Sequence, residues 1–262
     1  IVVAGELFVT GYPPEDLVLK RSFVARTRVV IDDLVALTAD GGPALIFGAP
    51  FVEGGQLYNS VIAADGGQMA VRHKHHLPNY AVFDEKRLFS AGPMPEPVDL
   101  RGVLVGLPVC EDIWFPDVSA HLHAAGAELL ISPNGSPFER GKHTKRLDHA
   151  RARARETGLP LIYVNQFGGQ DELVFDGGSF IIGSDGEVVV QAPVWTSHIA
   201  TTDWQNNDAG WTCMSQSLVP APGDLAQIYQ AAVLGLRDYV NKNRFPGVLL
   251  GMSGGVDSAL VA

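Results

Sequence analysis

The chain has 262 residues, of which 46% are hydrophobic and 18% charged, so it is globular and long enough for one large domain or two small ones. A formal net charge of −10 argues against nucleic acid as a primary partner, because phosphate backbones attract basic surfaces. The two cysteines exclude a disulfide framework and suit a reducing cytoplasm, and no apolar stretch reaches the roughly 18 residues that span a bilayer.

The first residues, IVVAGELFVTGYPPEDL, predict the end of a strand followed by a loop. They contain no basic region before an apolar one, which argues against a secretory signal. Because the chain opens inside a strand and without Met, we expect its start to be missing. Glu6 lies where the strand finishes. A carboxylate there is a common catalytic placement, although a lone glutamate in a loop is usually only solvated.

Residues 17–39 have apolar side chains near helical spacing and predict an amphipathic helix. A buried strand, ALIFGAPF, follows, and then a hairpin around the turn Asp65-Gly66-Gly67. Lys74 ends the second hairpin strand, with histidines at positions 73, 75 and 76 around it. We predict no metal site there, because adjacent side chains on a strand point to opposite faces and no carboxylate or cysteine completes a known ligand spacing.

Cys110 ends an apolar run, RGVLVGLPV, which predicts a buried strand, and a helix is predicted from Pro116 to about Gly126. A thiol at such a turn faces a helix N-terminus, which favours thiolate, while Glu111 and Asp112 would raise its pKa. A nucleophile here would need a nearby cation, which Lys74 could supply. The alternatives are a buried structural cysteine and an ordinary surface lysine.

The remaining sequence alternates strands and helices. Strands are predicted in ELLISPNGSPF, LPLIYVNQFGG, DGGSFIIGSDGEVVVQAP and HIATTDW, and an amphipathic helix in HTKRLDHARARARETG, whose basic residues form a solvated face. The pattern predicts an α/β fold with a mixed sheet. Residues 205–223 lose periodicity and are predicted to be a linker or a crossing arm, and 224–243 predict another amphipathic helix.

The chain closes with GVLLGM, predicted as a buried strand, and SGGVDS, a glycine-rich turn that opens a helix. Consecutive glycines let backbone N–H groups cradle a phosphate at a helix N-terminus. Both serines of this turn can donate to phosphate oxygens, and Asp257 can hold Mg²⁺. The motif is not a Walker A loop, since no Gly-Lys-Ser/Thr follows the glycines. The alternative is a plain strand–helix turn.

Taken together, ELFVTGYPPEDL, KHHLPNYAVFDEKRLF, LPVCEDIWFP, VNQFGGQDELVFDGGSF and SGGVDS resemble the glutamine-dependent NAD⁺ synthetase family through essentially the whole chain. The resemblance implies a nitrilase-like αββα four-layer sandwich, followed by the first helix and strand of a Rossmann-like ATP-pyrophosphatase domain. It implies a glutaminase domain over 1–204 that lacks its N-terminus, a linker over 205–223, and the truncated start of a synthetase domain over 224–262.

The resemblance also implies the site residues. Glu6 resembles the general base, Lys74 the cation, Cys110 the nucleophile, and Glu85 a second glutamate near that triad. Glutamine is expected at Tyr80, Ser136 and Lys142. The ATP pyrophosphate loop corresponds to Gly251, Met252, Ser253, Gly254, Gly255, Val256, Asp257 and Ser258. Two positions depart from the family, with Gly5 where Pro is usual and Ala81 where Gly is commoner.

The implied activity is glutamine hydrolysis, which supplies ammonia for the ATP-dependent amidation of deamido-NAD⁺. L-glutamine, deamido-NAD⁺ and ATP are the expected small-molecule partners, with Mg²⁺ beside ATP, no cofactor for the glutaminase step, and a homo-oligomeric assembly. Two alternatives stay open. One is a stand-alone nitrilase-like amidase for another small amide, against which the SGGVDS segment argues. The other is a non-catalytic remnant that only binds partners.

Overall fold

A computed structural model describes residues 1–208 and 210–262. The strands are β1 (Val2–Val3), β2 (Leu45–Glu53), β3 (Gln56–Asp65), β4 (Gln68–His73), β5 (Val98–Leu100), β6 (Val103–Gly106), β7 (Leu129–Asn134), β8 (Leu161–Asn165), β9 (Phe167–Gln170), β10 (Leu173–Asp176), β11 (Phe180–Ile182), β12 (Val188–Gln191), β13 (Trp204–Asn207), β14 (Gly210–Cys213) and β15 (Ser217–Leu218). The helices are α1 (Arg21–Leu37), α2 (Glu85–Leu88), α3 (Pro116–Ala124), α4 (Lys142–Thr157), α5 (Asp224–Lys242) and α6 (Val256–Val261).

Two sheets form the centre of the molecule. The first has the order β1-β2-β3-β4, and the second has the order β15-β12-β11-β8-β7-β6-β5. Both are mixed, since β1 is parallel to β2 while β2, β3 and β4 form antiparallel pairs, and β6, β7 and β8 are parallel to one another while β11 runs against β8. The predicted hairpin at Asp65-Gly66-Gly67 is confirmed as the β3–β4 connection.

The sheets pack face to face, with a helix layer outside each. Ile46 and Val61 of the first sheet share a core with Val105 and Ile131 of the second. Side chains alternate along a strand, so the neighbours of Ile46 and Val61 face outwards and pack against α1, in a cluster that includes Ile31, Val35, Phe47 and Ile62. Helices α3 and α4 cover the other sheet, where Leu122, Ala150, Leu130 and Phe180 are buried together. The predicted four-layer αββα sandwich is confirmed.

Two predicted strands are wrong. Residues 247–252 form no strand, and Leu249 is fully exposed, because none of the described segments lies beside them to supply backbone partners. Residues 198–203 also form no strand: the Asp203 carbonyl accepts a hydrogen bond from the Met214 N–H at 2.8 Å, but regular strand pairing starts at Trp204. The predicted linker 205–223 contains most of the β13–β14 hairpin and β15, which joins the edge of the second sheet beside β12. The domain boundaries themselves remain predictions.

Helix α5, the last but one in the chain, packs on the β9–β10 hairpin. Asp238 accepts a hydrogen bond from the Gly169 N–H at 2.8 Å, and the Lys242 ammonium donates to the Gly169 carbonyl at 2.6 Å. A Cβ on Gly169 would lie 3.2 Å from the Cα of Gly235, so glycines on both elements allow the backbones to approach closely. Among the described residues, no helix is both long and apolar enough to cross a membrane.

Candidate active site

Cys110 opens a 3-10 turn, Cys110–Trp114, a few residues after β6. Its backbone φ is +44°, in the left-handed region that residues other than glycine rarely adopt. The side chain of Asp112 holds this turn, since its carboxylate accepts the Val109 N–H at 2.9 Å. A strained backbone that is held by its surroundings is typical of functional positions. The thiol is therefore aimed by local geometry that the sequence pattern does not reveal.

Lys74 follows β4 and is fully buried between two carboxylates. Its ammonium donates to Glu6 at 2.6 Å and to Glu85 at 2.8 Å, and its side chain has no exposed surface. Its own N–H donates to the Asn59 carbonyl at 2.8 Å, which fixes the backbone at this point. The expected meeting of Glu6, Lys74 and Glu85 therefore forms from the end of β1, the end of β4 and the start of α2.

Three groups that the sequence did not reveal complete the carboxylate cluster. The Asn59 amide donates to Glu6 at 2.7 Å and to Glu85 at 3.3 Å. The Gly135 N–H donates to the other oxygen of Glu6 at 2.8 Å, and the Tyr12 hydroxyl donates to Glu85 at 2.8 Å. The one available sign was Asn59 itself, a polar side chain inside the apolar run of β3. Each carboxylate is thus held by several donors in a buried site.

The electrostatics favour a resting thiol and a permanently charged lysine. Burial raises the pKa of the Cys110 thiol, the Glu6 carboxylate raises it further, and the Lys74 ammonium only partly opposes them. Burial by itself would lower the pKa of Lys74, but Glu6 and Glu85 outweigh that effect and raise its pKa well above the usual value. Burial raises the pKa of Glu85 to about 7 despite the opposing charge of Lys74. A base is therefore needed to activate the thiol.

The predicted glutamine-binding residues lie in different surroundings. The half-exposed Tyr80 donates to Glu111 at 3.0 Å, and both line a pocket of about 560 Å³. The Lys142 ammonium lies 5.1 Å from the centre of the Phe83 ring. Ser136 is buried, and its hydroxyl oxygen accepts a hydrogen bond from Arg146 at 3.0 Å, so this hydroxyl already has a hydrogen-bond partner within the protein.

A buried arginine organises the loop that carries Ser136. Nη1 of Arg146 donates to both carboxylate oxygens of Asp176, at 2.9 and 3.0 Å, and Nη2 donates to the carbonyls of Ser136 and Pro137. Asn165 donates to the Ser136 carbonyl at 3.1 Å from the opposite side. The sequence interpretation of the basic residues on this helix as a solvated face is wrong for Arg146 and Arg153, which are 1% and 6% exposed.

Gly5 and Ala81, the two departures from the family pattern, differ in their surroundings: Gly5 is tightly packed, and Ala81 lies in an exposed turn. A Cβ on Gly5 would lie 3.0 Å from the Asn134 carbonyl and 2.9 Å from Cγ of Gln166, so the chain is tightly packed just before Glu6. Ala81, in the exposed turn after Tyr80, has a φ of +50°, a conformation that glycine adopts more readily.

The predicted phosphate loop is exposed from Gly251 through Asp257. Within it, Gly254 has a φ of +83°, the Ser253 and Ser258 hydroxyls lie 3.1 Å apart, and α6 begins at Val256. The loop therefore has the predicted turn and helix start, but not the preceding strand.

His75 and His76 lie beside a carboxylate that their sequence spacing did not reveal. Asp117, at the start of α3, is 41 residues beyond His76 and accepts a hydrogen bond from its ring at 2.9 Å. One potential ligand atom each from His75, His76 and Asp117 lie within 4.8 Å of one another. Asp117 therefore supplies, in the folded chain, the carboxylate whose absence from the local sequence was one of the two arguments against a metal site.

A buried Glu–Lys–Cys cluster in an αββα sandwich defines a class of hydrolase that attacks amide or nitrile carbon. The comparison with protein families agrees. The family model for carbon-nitrogen hydrolases matches residues 1–212, and the model for NAD synthase matches residues 228–262. The chain belongs to the carbon-nitrogen hydrolase family.

Among individual relatives, the chain is 48% identical to the glutamine-dependent NAD(+) synthetase of Rhodobacter capsulatus and 39% identical to that of Xylella fastidiosa, in each case over all of this chain and 48% of the relative. The solved glutamine-dependent NAD⁺ synthetase of Acinetobacter baumannii matches with a TM-score of 0.90 at 37% identity, over 99% of this chain and 49% of that one. An amidase from Nesterenkonia sp. AN1 matches with a TM-score of 0.64 at 29% identity, over 73% of this chain and 75% of that one. The chain spans about half the length of the synthetases it matches.

Proposed function

We propose that this chain is the glutaminase part of a glutamine-hydrolysing NAD⁺ synthetase. The observation that carries the proposal is the buried Lys74 ammonium between Glu6 and Glu85, within electrostatic range of the Cys110 thiol. Such a cluster suits attack on an unactivated amide, because it supplies a nucleophile, a base and a fixed positive charge. The relatives that match along the whole of this chain are named glutamine-dependent NAD(+) synthetases, which points to L-glutamine as the amide.

In the first half of the reaction, the Glu6 carboxylate takes the proton of the Cys110 thiol as sulfur attacks the side-chain amide carbon. The positive charge of Lys74, together with a backbone N–H, stabilises the oxyanion that forms. The carbon–nitrogen bond then breaks, and the proton held by Glu6 passes to the departing nitrogen. The products of this step are ammonia and a glutamyl thioester on Cys110.

In the second half, a water molecule loses a proton to Glu6 and attacks the thioester carbon. The carbon–sulfur bond breaks, and the proton returns to the sulfur, which leaves free glutamate and the resting thiol. Lys74 stabilises the second oxyanion in the same way. Glu85 and Asn59 do not exchange protons in this scheme: Glu85 keeps Lys74 oriented, and Asn59 keeps Glu6 oriented.

The ammonia would serve a synthetase activity, with the overall reaction deamido-NAD⁺ + ATP + L-Gln + H₂O → NAD⁺ + AMP + PPi + L-Glu. In this proposal residues 251–258 hold the pyrophosphate part of ATP, with backbone N–H groups and serine hydroxyls as donors and Asp257 facing Mg²⁺. Tyr80 and Lys142 would contact glutamine, with Ser136 behind them. We also propose a cytoplasmic homo-oligomer.

A second candidate is an amidase that acts on another small amide. The likeness to the Nesterenkonia amidase favours it, since that match covers similar shares of both chains. The match of residues 228–262 to NAD synthase argues for the first candidate, because a free-standing amidase has no use for that segment.

The test is ammonia release by the purified protein from L-glutamine, L-asparagine and acetamide. Release from glutamine that disappears in Cys110→Ala supports the proposal, and Cys213→Ala is the matched control because it removes the other cysteine. Release only from the other amides would favour the second candidate. Formation of NAD⁺ from deamido-NAD⁺, ATP and glutamine, measured on a protein that carries a whole synthetase domain, tests the synthetase half separately. Absence of glutamine hydrolysis in an otherwise folded protein would overturn the proposal.

A further inference from the structure

We propose that His75, His76 and Asp117 form a binding site for one divalent transition-metal ion such as Zn²⁺. One potential ligand atom from each lies within 4.8 Å of the other two. A tetrahedral Zn²⁺ with bonds of about 2.0–2.1 Å needs its ligands roughly 3.4 Å apart. Only small movements are needed: His76 and Asp117, now 2.9 Å apart, separate slightly as the ion replaces the hydrogen between them, and His75 stays within 4.8 Å of both. Two imidazoles and one carboxylate are a donor set that Zn²⁺ uses where its fourth position is left open.

The backbone beneath the histidines is held rigidly. Both the His75 N–H and the His76 N–H donate to one oxygen of Asp112, at 3.1 and 2.8 Å. The other oxygen of Asp112 accepts the Val109 N–H, and Asp112 has no exposed surface. Two adjacent residues are thus locked to a single buried carboxylate. This explains how neighbouring side chains converge here, whereas on a strand they would point apart.

The tautomer of His75 is set by a carbonyl group. Its Nδ1 lies 2.8 Å from the Gly92 oxygen, which can only accept a hydrogen bond, so Nδ1 carries the hydrogen. The Nε2 atom of the neutral ring therefore keeps a free lone pair. A hydrogen bond from the second ring nitrogen to a backbone carbonyl is the usual outer-shell arrangement of a metal-bound histidine.

An ordinary ion pair does not account for the whole arrangement. His76 and Asp117 alone would make such a pair, at 2.9 Å, with the His76 ring resting on Phe115. An ion pair needs no third donor, yet His75 lies against them with its ring edge-on to that of His76 and the ring centres 4.7 Å apart. The His76 and Asp117 side chains are 25% and 43% exposed, so an ion can reach them from solvent.

The position of the site connects it to the catalytic cluster. His75 directly follows Lys74, and Asp117 follows the turn that begins at Cys110. Both histidines also line the pocket that Tyr80 and Glu111 share. A bound ion would cross-link the Lys74 segment to the segment after Cys110, and a ligand that binds only the folded state stabilises it.

The experiment is titration of the purified full chain with Co²⁺, followed by displacement with Zn²⁺, in a Cys110→Ala/Cys213→Ala background that removes thiol ligands. We expect one equivalent of Co²⁺ with a d–d absorption band of nitrogen and oxygen ligation, and a metal-dependent rise in Tm. His75→Ala, His76→Ala and Asp117→Ala should each weaken binding by at least about tenfold, since even outer-shell changes cost about 10–100-fold.

His123→Ala is the matched control, because His123 is exposed on the same helix as Asp117 but lies outside the cluster. It should bind Co²⁺ as the background protein does. Circular dichroism of every variant checks folding, and His75→Gln, which keeps a polar side chain, provides a milder substitution at the same position. Binding that survives in both His76→Ala and Asp117→Ala, or no binding in the background protein at micromolar metal, would overturn the proposal.

Discussion

At the scale of single residues, Lys74 shows how burial and charge combine. A lone lysine ammonium in a site without exposed surface would lose its proton, but two carboxylates within 2.8 Å keep it charged. Burial first, and then the same carboxylates, raise the pKa of the Cys110 thiol and keep it protonated at rest. The proposed reaction therefore begins from a neutral Cys110 thiol, with the Lys74 ammonium as the fixed cation and the Glu6 carboxylate as the base.

Glu85 should make stability depend on pH. Because its pKa rises from the usual 4.5 to about 7 on folding, the folded protein binds more protons than the unfolded chain between these values. The free energy of unfolding should therefore fall as pH rises from about 4.5 to 7, and stay level above it as far as this group is concerned. Urea unfolding at several pH values measures this. Glu85→Gln should reduce the fall, and an unchanged slope in that variant would contradict the assignment.

Replacement of Ala81 by glycine should stabilise the folded protein. Its φ of +50° costs an L-residue roughly 1–2 kcal/mol, which the greater chain entropy of glycine in the unfolded state only partly offsets. Ala81→Gly should therefore raise the free energy of unfolding by up to about 1 kcal/mol in chemical denaturation. Ala25→Gly, on the exposed face of α1, is the control with opposite sign and should cost about 1 kcal/mol. Destabilisation by both substitutions would show that the turn is not strained.

At the scale of elements, loops at the ends of strands deliver the reactive groups, and buried polar side chains hold those loops. Asp112 ties the Cys110 turn to the backbone after Lys74. On the other side, Arg146 reaches from α4 to the loop after β7, whose Gly135 N–H contacts Glu6. The helices thus do more than cover the sheet, since α4 fixes one wall of the site.

Arg146→Met should destabilise the protein by roughly 3–5 kcal/mol, because it leaves the buried Asp176 carboxylate without its partner. Arg151→Met on the same helix is the control and should cost less than about 1 kcal/mol, since its pairing with Asp148 at 3.8 Å is partly exposed. Urea unfolding of both variants measures the difference. In the double variant Arg146→Met/Asp176→Asn we expect part of the loss to be recovered. Equal effects at positions 146 and 151 would contradict this account.

At the scale of the whole molecule, two sheets bury each other's inner faces and place the ends of β1 and β4 beside the turn after β6. Beyond this sandwich, α5 attaches the C-terminal segment to the β9–β10 hairpin through a few polar contacts and close glycine packing. Much of the remaining surface of α5 is apolar and exposed, including Leu225, Leu236 and Tyr239.

Asp238→Ala should loosen the attachment of α5. The substitution removes the acceptor of the Gly169 N–H, and the loss of one such bond in a half-buried place costs about 1–3 kcal/mol. Hydrogen exchange followed by mass spectrometry should show faster exchange in β9 and α5, with no change around Cys110. Gln230→Ala alters an exposed side chain of the same helix, away from Asp238, and should leave exchange as it was. Unchanged exchange at α5 in Asp238→Ala would mean that packing alone holds the helix.

Local periodicity and turn chemistry by themselves determined the α/β class, the hairpin at Asp65, and the helices α4 and α5. The αββα arrangement and the choice of Glu6, Lys74, Cys110 and Glu85 came from the resemblance of the sequence motifs to a known family. Only the tertiary structure decided that Asn59, Tyr12 and Gly135 hold the carboxylates, that Arg146 is buried, and that Asp117 meets two histidines. Those contacts join residues far apart in the chain, and their free energy depends on burial and distance, which no local pattern contains. For the same reason residues 247–252, apolar enough for a strand, do not form one, since a strand exists only beside a partner.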